Sequence, residues 1–101
     1  MNDLRPKIYS KLKQVPKGKV ITYKELAKAC NSKAYRFVGT CMKENKHLKE
    51  IPCYKVVLSD GRIGNYSGSG GVKGKIKLLE NDGIEIINGM VDLKKYLYKF
   101  R

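Results

Sequence analysis

The chain has 101 residues, 42% of them hydrophobic, which is enough for one domain with a modest core spanning 1–101. No apolar run approaches the ~20 residues of a membrane helix and no signal-peptide pattern opens the chain, so a cytoplasmic protein without a membrane partner is expected. Twenty-two Lys and Arg against nine Asp and Glu give a net charge of +13. That excess suits a well-solvated surface or a polyanionic partner, and lysines spread along the chain favour nucleic acid over a membrane surface.

Asp3 and Pro6 open the first helix, because a proline in the first turn removes an N–H that has no partner anyway. Ile8, Leu12 and Val15 follow at helical spacing as one apolar stripe, and Pro16-Lys17-Gly18 stops it. Val20-Ile21 reads as a brief extended piece. Thr22 and Glu25 have the spacing of a capping box, starting a short helix through Leu26, Ala27 and Cys30 that ends at Asn31. Ser32 then caps a second helix over residues 33–44, with Phe37, Val38, Cys41 and Met42 buried and Gly39 permitting close approach to a neighbour. Cys30 and Cys41 lie on apolar faces and read as inert core. The two helices and their polar turn suggest a helix-turn-helix.

Asn45 ends that helix. His47, the one histidine, falls in a polar loop and leaves no His-based metal cage or Ser-His-Asp triad. Three unpaired cysteines suggest neither a disulfide framework nor a metal site, and no cofactor is implied. Ile51-Pro52-Cys53-Tyr54-Lys55-Val56-Val57 places a thiol between a stiff proline and a β-branched strand. Asp60-Gly61 then signals a tight hairpin with Ile63 on the return. The expected fold is therefore α+β, a small, mostly helical winged helix-turn-helix domain with a short β-hairpin wing.

Residues 64–71 are rich in glycine and serine around Tyr66. They do not form a phosphate-binding P-loop, since Ile76 follows Gly74-Lys75 and position 69 is Ser. An ordered loop approaching a flat ligand fits better. Val72, Ile76 and Leu79 form a further helical stripe with Lys73, Lys75 and Lys77 among them, ended by Gly83. Ile84-Glu85-Ile86, Asn88-Gly89 and Val91 read as a second hairpin, and Asp92 caps a last turn through Leu93 and Tyr96. This tail carries no expected chemistry.

By residue chemistry Cys53 is equally a buried structural cysteine or a nucleophile, since only a thiolate in an accessible, electropositive place reacts. Its context is a basic helix-turn-helix upstream and an aromatic-bearing glycine loop downstream. Chemistry on a base within a duplex requires extruding it, which needs a backbone handle, a stack-filling side chain and an aromatic-lined pocket.

The Pro-Cys-Tyr-Lys-Val-Val stretch resembles the Pro-Cys-His-Arg-Val-Val motif of the O6-alkylguanine-DNA alkyltransferases. Val20-Ile21-Thr22-Tyr23, Ala34-Tyr35-Arg36-Phe37-Val38-Gly39, Asn45 and Gly64-Asn65-Tyr66-Ser67-Gly68 resemble that family's other segments in order, over residues 5–82. The resemblance implies that the chain corresponds to the family's C-terminal active-site domain, without the N-terminal domain many members carry. It implies a monomer that binds double-stranded DNA containing O6-alkylguanine through the minor groove. Arg36 would fill the stack, Tyr23 would rotate a phosphate, and Thr22, Lys33, Ala34 and Lys43 would be further DNA contacts. Tyr66, Val56, Val57, Ser67 and Gly68 would form the base pocket, with Tyr66 hydrogen-bonding the guanine at N3. Cys53 would take the alkyl group irreversibly in a single turnover, supported by Asn45, Tyr54 and Asp82.

The chain departs from the family pattern at Tyr54, where the family has a histidine that helps remove the thiol proton, and at Asp82, where it has a glutamate. A phenol of pKa near 10 is a poor base, so less thiolate is expected. The runner-up reading is an alkyltransferase-like sensor that binds the lesion without transfer, although such proteins replace the cysteine. An ordinary winged-helix regulator is the third.

Overall fold

The computed structural model describes residues 4–100. Helix α1 covers Arg5–Lys13, with Pro6 in its first turn and Ile8 and Leu12 buried. Asp3, read as its start, lies outside the described residues. Val15 is buried just past the end of the helix, completing the expected stripe. Strand β1 (Ile21–Thr22) runs directly into α2 (Tyr23–Ala29), whose start is held by the Glu25 N–H donating to Thr22 Oγ1 at 3.1 Å. This is one arm of the expected capping box. Asn31 ends the turn after α2 in the left-handed region, which asparagine tolerates, and the Ser32 N–H donates back to Ala27 O.

Helix α3 spans Tyr35–Glu44, starting two residues later than expected. The Ser32 hydroxyl accepts from the Ala34 N–H at 2.9 Å, so it fastens the inter-helix turn and does not cap the helix itself. Val38, Cys41 and Met42 face inward, and α3 packs across α2 with Gly39 against the Tyr23 ring. Cys53–Lys55 form a single 3-10 turn that delivers strand β2, Val56–Val57.

Strand β2 does not pair as the wing hairpin expected from Asp60-Gly61. Its partner is β1, in parallel, with Ile21 opposite Val56 and Thr22 opposite Val57. Val20, Ile21, Val56 and Val57 are all fully buried, so both faces of the ladder are interior. Such a strand belongs inside a sheet and not on a half-solvated wing. What remains of the hairpin is a tight turn over residues 59–62, closed by Leu58 N–H to Arg62 O at 2.9 Å.

Successive residues on a strand point to opposite faces. Ile21 and Val56 accordingly enter the core lobe built on α1–α3, whereas Val20 and Val57 enter a second lobe with Ile63, Leu79, Ile84, Val91 and Tyr96. Burying each of these aliphatic side chains contributes about 2 kcal/mol. Helix α4 (Gly71–Asn81) caps the second lobe. Strands β3 (Ile86–Ile87) and β4 (Met90–Val91) form the Asn88-Gly89 hairpin, with both turn residues at positive φ as a two-residue hairpin demands. Asp92 caps α5 (Leu93–Tyr96) through the Lys94 N–H at 3.0 Å. The tail is stitched to the rest at two places, Tyr98 N–H to Val20 O and Val91 N–H to Gly61 O, each at 2.8 Å. Among the described residues, no helix is long and apolar enough to cross a membrane.

Candidate active site and nucleic-acid face

Four segments distant in sequence meet at one cavity of about 380 Å³ beside the β1–β2 ladder, lined by Tyr23, Gly39, Met42, Lys43, Cys53, Asn65, Tyr66 and Ser67. Cys53 is held at its wall by the 3-10 turn, whose tightness follows from Pro52, and the Cys53 N–H donates to Ile51 O at 2.8 Å. Asn45, buried at the end of α3, ties down the preceding loop. Its Nδ2 donates to Ile51 O and its Oδ1 accepts from the His47 N–H, both at 2.8 Å. His47 itself is exposed.

Tyr66 reaches the cavity from the glycine-rich loop, and two close approaches explain that composition. A Cβ on Gly68 would overlap the Tyr66 ring, and one on Gly74 would overlap the Ser69 carbonyl where the loop folds onto the start of α4. Burial raises the phenol pKa of both Tyr66 and Tyr23, and the Cys53 charge adds to the shift. Both rings therefore stay neutral donors at physiological pH.

Burial also pushes the Cys53 thiol up from its ordinary range, while a hydrogen bond with Asn45 and the charge of Lys75 pull the other way. The Tyr54 hydroxyl donates to Asp82 Oδ2 at 2.7 Å, bringing together the two residues singled out as departures from the family pattern. Burial, then that hydrogen bond and the carboxylate charge, drive the Tyr54 phenol well above its ordinary value. It is locked as a donor.

The basic residue nearest the thiol in sequence is Lys55. Lys55 is buried but turns away, donating from Nζ to Val15 O at 2.7 Å, and burial lowers its pKa. The cation that acts on Cys53 is Lys75, which sequence reasoning had placed among the lysines around an apolar stripe. Lys75 is 1% exposed. Its Nζ donates to Val56 O at 2.6 Å and to Asn65 O at 3.1 Å, and burial pushes its pKa down to about 8.

Of the residues expected to form the base pocket, Tyr66 and Ser67 line the cavity. Val56 and Val57 lie behind it in the core, and the Val56 carbonyl is taken by Lys75. Gly68 serves as the surface against which Tyr66 packs. Of the expected DNA contacts, Tyr23 and Lys43 line the cavity, and Lys33, Ala34 and Arg36 are exposed around the start of α3. Thr22 is instead 3% exposed, with its hydroxyl committed to capping α2. Met42, Asn65 and Lys75 had been given no part in the site. Only the one-turn spacing of Lys75 from Leu79 points to an inward position; Val72, expected on the same apolar stripe, is exposed at the start of α4.

A family model described as 6-O-methylguanine DNA methyltransferase, DNA binding domain, matches residues 3–84. The chain belongs to this family. It is 48% identical over 97 residues to the bifunctional methyltransferase/endonuclease of Picrophilus torridus, covering 95% of this chain and 32% of that protein. The O6-methylguanine-DNA methyltransferase of Pyrococcus kodakaraensis superposes with a TM-score of 0.70 at 43% identity, covering 83% of this chain and 48% of that one. S. pombe Atl1, in complex with damaged DNA containing O6-carboxymethylguanine, superposes with a TM-score of 0.87 at 29% identity, covering 99% of this chain and 98% of that one. The chain spans between 28% and 38% of the length of the first curated relatives it matches. Methyltransferase and damaged-DNA complex alike place the family in DNA repair.

Proposed function

We propose that this domain repairs O6-alkylguanine in double-stranded DNA by moving the alkyl group onto Cys53, as the family's active-site domain in a single-chain, monomeric, cytoplasmic form. The observation that carries the reading is the position of the thiol, on the wall of a cavity shared with two neutral phenols and opening beside an exposed basic helix start. In this reading α2 and α3 act as a helix-turn-helix in the minor groove. Arg36 takes the place of the extruded base, and Tyr23 turns the neighbouring phosphate, with Lys33, Ala34 and Lys43 along the backbone. The guanine enters the cavity against Tyr66 and Ser67, with the Tyr66 hydroxyl on N3.

The thiol gives its proton to solvent, and the thiolate attacks the alkyl carbon in line with the C–O6 bond. The S–C bond forms as the C–O6 bond breaks, the electron pair passes to the guanine ring, and water returns a proton to the base. A neutral phenol donor facing the base offsets the charge that develops as the group leaves. A thioether has no leaving group that the described residues could displace, so each molecule acts once.

One observation favours a second reading, a sensor that binds the lesion without transfer. The chain superposes along nearly its whole length on Atl1 bound to damaged DNA. The two readings separate on mixing the protein with an oligonucleotide carrying O6-methylguanine and weighing it intact. Gain of one methyl group, localised to Cys53 and absent in Cys53→Ser, is the expected result. Tight lesion-selective binding with no mass change would identify the sensor. Equal affinity for unmodified DNA would leave only a general DNA-binding domain.

A further inference from the structure

A second cavity, of about 460 Å³, adjoins the one that holds the thiol, since Tyr23 and Gly39 line both. The rest of its wall comes from Lys24 on α2, Tyr35 on α3, and Ser59, Asp60 and Arg62 in the tight turn after β2. No step of the reaction at Cys53 uses this space.

The turn is exposed and yet firmly held. The Gly61 N–H donates to Leu58 O at 2.9 Å, and the Val91 N–H donates to Gly61 O at 2.8 Å. Gly61 has a φ of +94°, and a Cβ there would overlap the Val91 carbonyl, so the turn sits directly on β4. Asp60 accepts from the Arg62 N–H at 3.0 Å and from Arg62 Nε at 2.8 Å. A pair this exposed contributes little to stability. What it fixes is direction.

With Nε committed to Asp60, the two terminal amino groups of Arg62 donate to nothing among the described residues. Such a fork matches two oxygens of a phosphate. Lys24 adds a second exposed cation, paired with no carboxylate among the described residues. Tyr35 adds an exposed aromatic face, suited to the apolar side of a sugar.

We infer that this cavity is a phosphodiester subsite, in which Arg62, aimed by Asp60, and Lys24 hold a backbone phosphate beside the extruded nucleotide. The inference rests on the reading that a base enters the thiol cavity and that Tyr23 turns the neighbouring phosphate. That reading leaves the turned phosphate without a receiving cation. Because Tyr23 lines both cavities, a strand with its base in one carries its flanking phosphate past Tyr23 into the other. This continuity selects a nucleotide strand over an acidic peptide. Arg36 acts only where there is a base stack to fill, whereas this subsite serves duplex and single strand alike.

The test is a binding titration, in the Cys53→Ser background so that no transfer intervenes. The probes are fluorescent oligonucleotides carrying O6-methylguanine, duplex and single-stranded, with each flanking phosphate replaced in turn by a neutral methylphosphonate. One replacement should weaken binding about tenfold in both forms, the worth of a charge-assisted hydrogen bond. Arg62→Gln should weaken the unmodified-backbone probes by a similar factor and make the salt dependence shallower by about one charge. The same methylphosphonate should then cost nothing further, because the pair is already broken. Lys24→Gln, which leaves the turn intact, should couple to that phosphate with a smaller loss. Losses that multiply, no sensitive flanking phosphate, or an unchanged salt dependence would overturn the inference. Coupling in a protein whose native thiol takes no methyl would sink the transferase reading alone. Methyl transfer without coupling would sink the subsite alone.

Discussion

Around one cavity, the α2–α3 side presents Lys33, Arg36 and Lys43 to solvent, and the Arg36 guanidinium has no partner among the described residues. The opposite side, formed by the end of α3, the 3-10 turn and α4, consists of Asn45, Cys53, Tyr54, Lys75 and Asp82, each at least half-buried and each in a side-chain hydrogen bond. The exposed side costs little to maintain because its charges stay hydrated until DNA displaces the counterions. The buried side bears its desolvation cost permanently, and in return its dipoles and charges need no rearrangement when the reaction starts. A partner side that is adaptable and a chemical side that is fixed predict different responses to mutation.

The largest separation should come from Arg36→Ala. If this side chain fills the space of an extruded base, its loss leaves the unstacking cost uncompensated, on the order of 2 kcal/mol or more. Transfer from O6-methylguanine in a duplex should then slow by at least about tenfold, while transfer from the free modified base stays unchanged. Single-turnover rates on the two substrates measure this directly. Equal losses on both would mean that Arg36 supports the fold or the pocket and not extrusion.

A smaller effect is expected on the fixed side from Tyr54→His. The native phenol stays protonated across the physiological range because burial and Asp82 both oppose its ionisation. An imidazole there would give one N–H to Asp82 and leave the other nitrogen free to receive a proton. The single-turnover rate should rise between pH 6 and 8, by about tenfold or less. Indistinguishable profiles from pH 6 to 9 would show that thiol ionisation is already settled by Lys75 and Asn45.

The same contrast governs what could be read before folding. Local chemistry was legible: the Thr22 cap, the Asn88-Gly89 turn, the Asp92 cap and the buried Cys30 and Cys41 all follow from residues within one turn of each other. The Tyr54–Asp82 contact was legible only through resemblance, because 28 residues separate the pair. Two features were not legible. Val56-Val57 looked like the start of a hairpin because Asp60-Gly61 lies nearby, yet the ladder partner is Ile21-Thr22, and nothing local announces a parallel pairing across that distance. Lys75 looked like one solvated lysine among several, since a periodic pattern identifies an inward position but not what the side chain meets there. In a chain carrying 22 basic residues, the informative lysine was the one at an apolar position of the helix.

Thr22 gives the smallest and most discriminating effect, because it falls on the boundary between the two sides. Resemblance assigned it to the DNA-facing segment, whereas its burial and the 3.1 Å bond from Glu25 N–H make it the start of α2. Removing a threonine N-cap costs about 1 kcal/mol. In a domain of this size that lowers the melting temperature by about 4–8 °C. Thr22→Ala should show that loss at every pH, with DNA affinity and its salt dependence unchanged well below the transition, while Thr22→Ser should recover most of the stability. A phosphate contact would give the opposite pattern, an intact melting temperature with weakened binding. That outcome would move Thr22 to the adaptable side and require the α2 start to open when DNA arrives.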